Sequence, residues 1–249
     1  MDTREIRAGR LYDDLAWLMP LISPPEDYAE EAARWRDVLR ETLGDGRHHL
    51  LELGAGGGHN LSHLTADFAA TAVDISPAMR DLCRQLNPDV ECLPGDMRTV
   101  RLNRTFAAVL IHDAVSYMLT EADLAAAFRT AAVHLAPGGV LITAPDRVAE
   151  TFRPPEVDTV SRETESSFVS YVEYTWDPDP ADTTVETLML YLIRRPDGLQ
   201  VELDRHATGL FPRATWRRLL AVAGFEVAVR RFSLAGLDRP YELYVGRRR

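Results

Sequence analysis

The sequence predicts an α/β protein: a seven-stranded, mostly parallel sheet with helices on both faces, plus an antiparallel β insert over the active site. Three observations predict it. Short β-like runs alternate with helical stretches between residues 49 and 143. A glycine-rich loop follows the first of those runs. Beyond Pro145 the runs lengthen and are joined by turns, a pattern that suits antiparallel hairpins.

The elements follow in order. A short apolar segment at 11–22 is cut off by Ser23-Pro24-Pro25, because proline interrupts a helix. Residues 28–43 then place Ala32, Trp35, Val38, Leu39 and Leu43 at a helical period. Strands are expected at 49–53, 69–74, 90–93, 106–111 and 139–143, with a helix at 121–135 and a helical start at 60–64. Longer strands at 168–174, 184–194 and 199–207 form the antiparallel layer, turned by Asp177-Pro178-Asp179-Pro180 and Pro196-Asp197-Gly198. The chain returns to helix at 212–223 and to strands at 224–231 and 241–246. The expected division is an N-terminal helical segment or lid (1–45), a main domain (46–150 and 208–249), and an insert (151–207) that caps the substrate and offers a homodimer contact.

Composition excludes several function classes. The chain has 249 residues, 46% hydrophobic, enough for a large core. No run approaches the ~18 apolar residues of a membrane span, and residues 1–5 lead into no signal-peptide core, so no membrane partner is expected. A net charge of −10 opposes nucleic-acid binding. The Arg247–Arg249 tail reads as a frayed, solvated end. All 28 basic residues are arginine, which rules out a Schiff-base lysine or a P-loop lysine. Two cysteines, Cys83 and Cys92, support neither a disulfide framework nor a zinc site, and a reducing cytoplasm is the simplest setting. His48, His49, His59 and His63 are irregularly spaced, and no metal site is expected from them.

The chemistry concentrates at 50–74. Leu51-Glu52-Leu53 runs into Gly54-Ala55-Gly56-Gly57-Gly58, where alternate glycines permit a tight turn and close approach of a ligand. Asp74, twenty residues beyond Gly54, ends the second strand where a carboxylate can accept from a ribose diol. An NAD site would share these features. Glu52 favours a cationic ligand instead, since an acid would repel a pyrophosphate.

With Glu52 and the glycine loop, the segments Asp74-Ile75-Ser76-Pro77-Ala78-Met79, Gly95-Asp96-Met97 and Leu135-Ala136-Pro137-Gly138-Gly139 resemble the motifs of class I S-adenosylmethionine-dependent methyltransferases. The resemblance implies a Rossmann-like fold and S-adenosylmethionine as cofactor, leaving as S-adenosylhomocysteine. It implies cofactor contacts at Tyr12, Glu52, Gly54, Ala55, Gly56, Asp74, Ile75, Met79, Asp96, Met97, Ile111 and His112. Asp96 would accept from the adenine amino group while Met97 packs on its ring. Leu11-Tyr12-Asp13-Asp14, Gly95-Asp96-Met97-Arg98 and Leu210-Phe211-Pro212-Arg213 are similar to segments of bacterial secondary-metabolism enzymes, including those that dimethylate nucleotide-linked aminosugars.

The acceptor site is expected beyond the fourth strand, with His112, Asp113 and Tyr117 as catalytic candidates. His112 is the candidate base should an ammonium or hydroxyl have to lose a proton; Asp113 beside it could orient it, although adjacent side chains often point apart. Tyr117 stands where the aminosugar group carries a histidine, so a shared proton-transfer role does not carry over. Residues 151–190 hold nine acids and two arginines, a charge that would attract an amine or simply face solvent. The expected activity is N-methylation of a small-molecule amine, with O-methylation or a tRNA or protein substrate as alternatives.

Overall fold

The computed structural model describes residues 3–163, 168–235 and 240–249. Its first sheet is built on strand parity. In β1 (His49–Leu53), Leu51 and Leu53 enter one core while Leu50 enters the other. β4 (Phe106–Ile111) divides Val109 and Ile111 from Ala108 and Leu110 in the same way, and β5 (Leu135–Thr143) divides Leu141 from Val140 and Ile142. Strands buried on both faces read as continuous apolar runs, which is why they were plain in the sequence. One core is closed by α5 (Glu121–Val133) and α6 (Arg213–Val222), through Phe128 and Trp216. The other is closed by α2 (Ala29–Leu43), through Trp35, Val38 and Leu39.

With β2 (Ala69–Asp74), β3 (Glu91–Pro94), β10 (Phe225–Phe232) and β11 (Tyr241–Arg248), the seven strands are ordered β10-β11-β5-β4-β1-β2-β3. β1 to β5 pair in parallel, while β11 runs antiparallel to both β5 and β10. The chain moves outward from β1 to β3 and then returns to the other side of β1, so a crevice opens beyond the carboxyl ends of β1 and β4. Capping hydroxyls fix the helices around it. Ser76 Oγ accepts from the Met79 amide at the start of α4 (Pro77–Leu86), and Thr120 Oγ1 accepts from the Asp123 amide ahead of α5.

The second sheet is wholly antiparallel, in the order β6 (Glu156–Glu163), β7 (Phe168–Trp176), β8 (Thr184–Arg195), β9 (Gly198–Gly209). Sequence reading did not anticipate β6, an edge strand whose only apolar residues are Val157 and Val160. β9 also runs two residues past the expected end at 207. The N-terminal segment, including α1 (Met19–Ile22), is mostly short 3₁₀ turns laid against this sheet. Leu11, Leu15, Leu18 and Ile22 pack on Val169, Tyr191 and Ile193, and Ala8 bridges to Arg205.

Two further expectations change. The helix begun at residue 60 is a single turn, α3 (His59–Ser62), because it only redirects the chain from the glycine loop. The arginine tail is not frayed: Arg247 and Arg248 pair with Glu226 and Phe225, and the Arg248 guanidinium donates to the Leu135 carbonyl. Among the described residues no helix is long and apolar enough to cross a membrane.

Candidate active site

The crevice, the N-terminal segment and the second sheet enclose a cavity of about 740 Å³. The glycine loop forms one wall. Gly54 and Gly58 both have φ +73°, and a Cβ on Gly54 would lie 2.6 Å from Ala114 Cβ and from Met97 Cε. Gly56 differs in that the position of its Cβ is open, and its amide donates to Asp74 Oδ2 at 2.8 Å. The Ser76 amide donates to Asp74 Oδ1, also at 2.8 Å. Burial pushes the Asp74 carboxyl upward and these amides oppose it. Each oxygen is thereby fixed at the end of β2 and keeps a lone pair for a diol.

Glu52 shares the parity of Leu50 and so points to the α2 side of the sheet. It is 2% exposed, and its Oε2 has no partner among the described residues. Burial, with Asp113 and Asp74 adding to it against His112, pushes its pKa up to about 8. Asn60, also on the wall and buried, has neither side-chain polar atom bonded among the described residues. An unpaired buried acceptor and an unpaired buried amide on one wall match an amino-acid group, ammonium toward Glu52 and carboxylate toward Asn60. Asp74 suits a ribose, and Ile75 and Met97 supply apolar surface for a base, Ile75 being 69% exposed. These residues fit S-adenosylmethionine.

The other expected cofactor residues divide. Tyr12, Ala55, Asp96 and His112 line the cavity. The Asp96 carboxylate is already gripped by Arg98, through Nε at 3.0 Å and Nη2 at 2.6 Å, so a bond from an adenine amino group would be shared with that guanidinium. Met79 and Ile111 are fully buried and do not reach the cavity. Ile111 belongs to the core because it has the parity of Val109, and Met79 turns inward from the first turn of α4.

The acceptor-side candidates behave differently from expectation. His112 and Asp113 do meet, Nδ1 to Oδ1 at 2.9 Å, while Nε2 bonds Glu31 from α2. Tyr241 donates to the same glutamate. Burial opposes a charge on His112, but the two carboxylates outweigh it and hold the ring protonated well above the usual range. A ring with a proton on each nitrogen has no lone pair, so His112 is not a base at neutral pH. Asp113 is held below the ordinary carboxylate range against burial by that imidazolium, and half of its side chain opens onto the cavity.

Tyr117 bonds two residues at once. Its hydroxyl lies 2.8 Å from that of Tyr12 and 2.9 Å from His206 Nδ1. His206 Nε2 lies 2.8 Å from Asp204 Oδ2. Across the cavity, Asp146 is pushed up to about 7 by burial and then by Asp113. Arg147 is held by Glu156 at 2.7 Å and by Glu173 at 3.3 Å. Sequence reading missed Glu31, Asn60, Asp204 and His206. Glu31 sat in an amphipathic helix 81 residues before its partner, and the alternation of Asp204 and His206 in β9 was the only local signal that both face inward. Among the described residues no group of three or more His, Cys, Asp or Glu is arranged to hold a metal.

Comparison with known proteins agrees with this geometry. Residues 50–139 match the family model described as methyltransferase domain. The chain is 38% identical over 129 residues to the dTDP-3-amino-3,4,6-trideoxy-α-D-glucopyranose N,N-dimethyltransferase of Streptomyces venezuelae, a match spanning about half of each protein (51% and 54%). It is 28% identical over 225 residues to the dTDP-3-amino-3,6-dideoxy-α-D-glucopyranose N,N-dimethyltransferase of Streptomyces fradiae, covering 82% of this chain and 87% of that one. A SAM-bound amino pentose methyltransferase from Micromonospora echinaspora, involved in calicheamicin biosynthesis, superposes with a TM-score of 0.79 at 29% identity, over 89% of this chain and 92% of the other. Motifs, sheet order and the walls of the cavity converge: residues 50–139 form a methyltransferase domain, and the chain has the fold of the class I S-adenosylmethionine-dependent methyltransferases.

Proposed function

We propose that the protein methylates the amino group of a small molecule, an aminosugar carried on a nucleotide, in bacterial secondary metabolism. The observation that carries the reading is the acid surplus of the cavity. Glu31, Asp74, Asp113, Asp146 and Glu173 line it beside the largely protonated Glu52; against them stand the His112 imidazolium and three arginines, Arg98, Arg147 and Arg213, each already paired with carboxylates. Such a site draws in cations: the cofactor and a protonated amine both qualify, and a neutral hydroxyl gains less. The N,N-dimethyltransferase relatives support the amine class. Cys83 and Cys92 are free buried thiols, in keeping with work in the cytoplasm. We extend the reading to residues 151–207 as the cap over the substrate and to a homodimer, for which Val157, Tyr174, Leu199 and Val201 offer exposed apolar surface.

When bound, S-adenosylmethionine supplies a methyl group activated on a sulfonium. The chain supplies position. Glu52 and Asn60 would hold the amino-acid end, Asp74 the ribose, and Ile75 with Met97 the base. Tyr12 and the N-terminal segment, fastened to β9 through Asp204, cover the cavity and exclude water. Displacement at carbon needs nucleophile and leaving group in line, so alignment by these walls carries much of the rate. The test is incubation with S-adenosylmethionine and dTDP-3-amino-3,6-dideoxy-α-D-glucopyranose, read by mass spectrometry. Gain of methyl groups on nitrogen supports the reading; methylation of a hydroxyl, or of neither, refutes it.

A further inference from the structure

Methyl transfer to nitrogen needs a lone pair, and an amine reaching an acidic cavity at neutral pH arrives as ammonium. A proton must therefore leave before each transfer. His112 cannot take it, since both of its nitrogens already face carboxylates. A second histidine on the cavity wall can.

His206 and Asp204 lie on β9 with side chains 2% and 0% exposed. Asp204 is ionised: burial opposes this, but His206 and the amides of Arg10 and Leu11 hold it below the usual carboxylate range. In the neutral ring its Oδ2, 2.8 Å from Nε2, fixes the tautomer, with the hydrogen on Nε2 and the lone pair on Nδ1. That lone pair lies 2.9 Å from the Tyr117 hydroxyl, which must donate to it. Having one hydrogen, Tyr117 can only accept from Tyr12, 2.8 Å away, so the Tyr12 hydrogen is committed as well. Every hydrogen in the row points inward, and the outer end offers oxygen lone pairs to the cavity that Tyr12, Tyr117 and His206 all line. The polarity is that of a path that takes a proton from the cavity, and it suits a donor such as an ammonium.

We infer that Tyr12, Tyr117, His206 and Asp204 form a proton relay that deprotonates the amine acceptor. This rests on the amine reading above. One ammonium N–H proton passes to the Tyr12 oxygen, the Tyr12 hydrogen to Tyr117, and the Tyr117 hydrogen to His206 Nδ1. The amine keeps the electron pair of the broken N–H bond, and the new imidazolium is neutralised by Asp204. Nitrogen then bonds the methyl carbon as the carbon–sulfur bond breaks, its electrons staying on sulfur. The product is again an ammonium, and the imidazolium proton returns to solvent before a second round. Tyr12 touches the acceptor; Tyr117, His206 and Asp204 act through it as positioning and relay residues. Both tyrosines stay hydroxyls throughout, because burial raises them far above their ordinary range, with Asp113 and Asp146 adding to it. The groups facing His206 are Asp204 from its own strand, Tyr12 and Tyr117 from the N-terminal and post-β4 turns, and Thr187 opposite it on β8. Asp204 also faces Tyr191, whose hydroxyl it helps to raise, while Asp113, Asp146 and Glu173 act on Tyr117.

Tyr117→Phe and His206→Gln test the relay with dTDP-3-amino-3,6-dideoxy-α-D-glucopyranose as acceptor. Tyr117→Phe removes one oxygen and keeps the ring, so it reports even if His206→Gln fails to fold. At pH 7 each should lower kcat about 100-fold or more, with the loss shrinking as pH rises toward the amine's own pKa. In parallel, ring ¹⁵N shifts of His206 in the S-adenosylhomocysteine complex should move toward imidazolium values when the aminosugar is added, and stay unmoved in Tyr117→Phe. Variant pH profiles parallel to wild type, or a His206 ring indifferent to the amine, overturn the relay. Wild type that leaves the amine unmethylated overturns the functional reading, and the relay with it.

Discussion

Glu52 is the residue whose removal tells most about how the site is built. Its carboxyl is raised from 4.5 to about 8, chiefly by burial. The sign follows from linkage: a raised acid costs stability wherever the unfolded chain would have released the proton. The cost is absent below about pH 4.5, grows as pH rises toward 8, and is constant above that. At pH 7 the gap is two and a half pH units, or about 3 kcal/mol, and above pH 8 it approaches about 5 kcal/mol. Glu52→Gln keeps the shape and cannot ionise. The variant should match wild type near pH 4.5 and be more stable by about 3 kcal/mol at pH 7, read by urea unfolding at pH 4.5, 7 and 8.5. It should also bind S-adenosylmethionine more weakly, since the acceptor for the ammonium is gone. In wild type, about nine-tenths of the Glu52 carboxyls hold a proton at pH 7 before binding, so calorimetry in buffers of differing ionisation heat should show most of one proton released. A stability difference that ignores pH, or binding without proton release, would refute the account of Glu52 as a cost accepted for the cofactor.

Three further outcomes follow from the same walls. Asp74→Ala should weaken S-adenosylmethionine binding by about 10- to 100-fold, the worth of two charge-assisted bonds to a diol, measured by titration calorimetry. Gly54→Ala meets Ala114 and Met97 at 2.6 Å on a backbone with φ +73°, and should cost about 2 kcal/mol or more in unfolding free energy. Glu31→Gln takes one of the two carboxylates from His112 and should bring its pKa down, visible as an earlier loss of imidazolium ring shifts on titration. Since a raised histidine stabilises below its unfolded pKa and loses that as pH rises through the folded one, the variant should also flatten the alkaline fall in stability.

What could be read from the sequence follows the range of each interaction. β1, β2 and β4 were legible residue for residue, because a strand buried on both faces writes its length as an apolar run. Glu52, the glycine loop and Asp74 were legible because the loop joins them within 22 residues and backbone needs dictate them. β6 was not, since an edge strand facing solvent has no hydrophobic alternation to show. Ile111 and Met79 were misplaced for a local reason: adjacent positions on a strand or helix point apart, and a motif does not record which one turns inward. Glu31 and His112 were unpaired in the sequence because only tertiary packing joins α2 to the end of β4.

His112 and His206, two of the three histidines on the cavity wall, show why that distance matters for function. Both rings are nearly inaccessible and both carry a carboxylate partner, so residue type and burial alone do not separate them. The difference is a second acid. Glu31 closes the remaining nitrogen of His112 and leaves a cation that can only bind and shape the site. The remaining nitrogen of His206 meets a hydroxyl instead, and so keeps a lone pair connected to the cavity. If Glu31 is exchanged for glutamine, His112 should acquire a free lone pair beside Asp113 and become able to accept a proton. The double variant Glu31→Gln with His206→Gln should then recover part of the rate lost in His206→Gln alone. No recovery, in a double variant shown by ring shifts to hold His112 neutral, would mean that a lone pair within the cavity is insufficient and that the row of hydroxyls is required to deliver the proton.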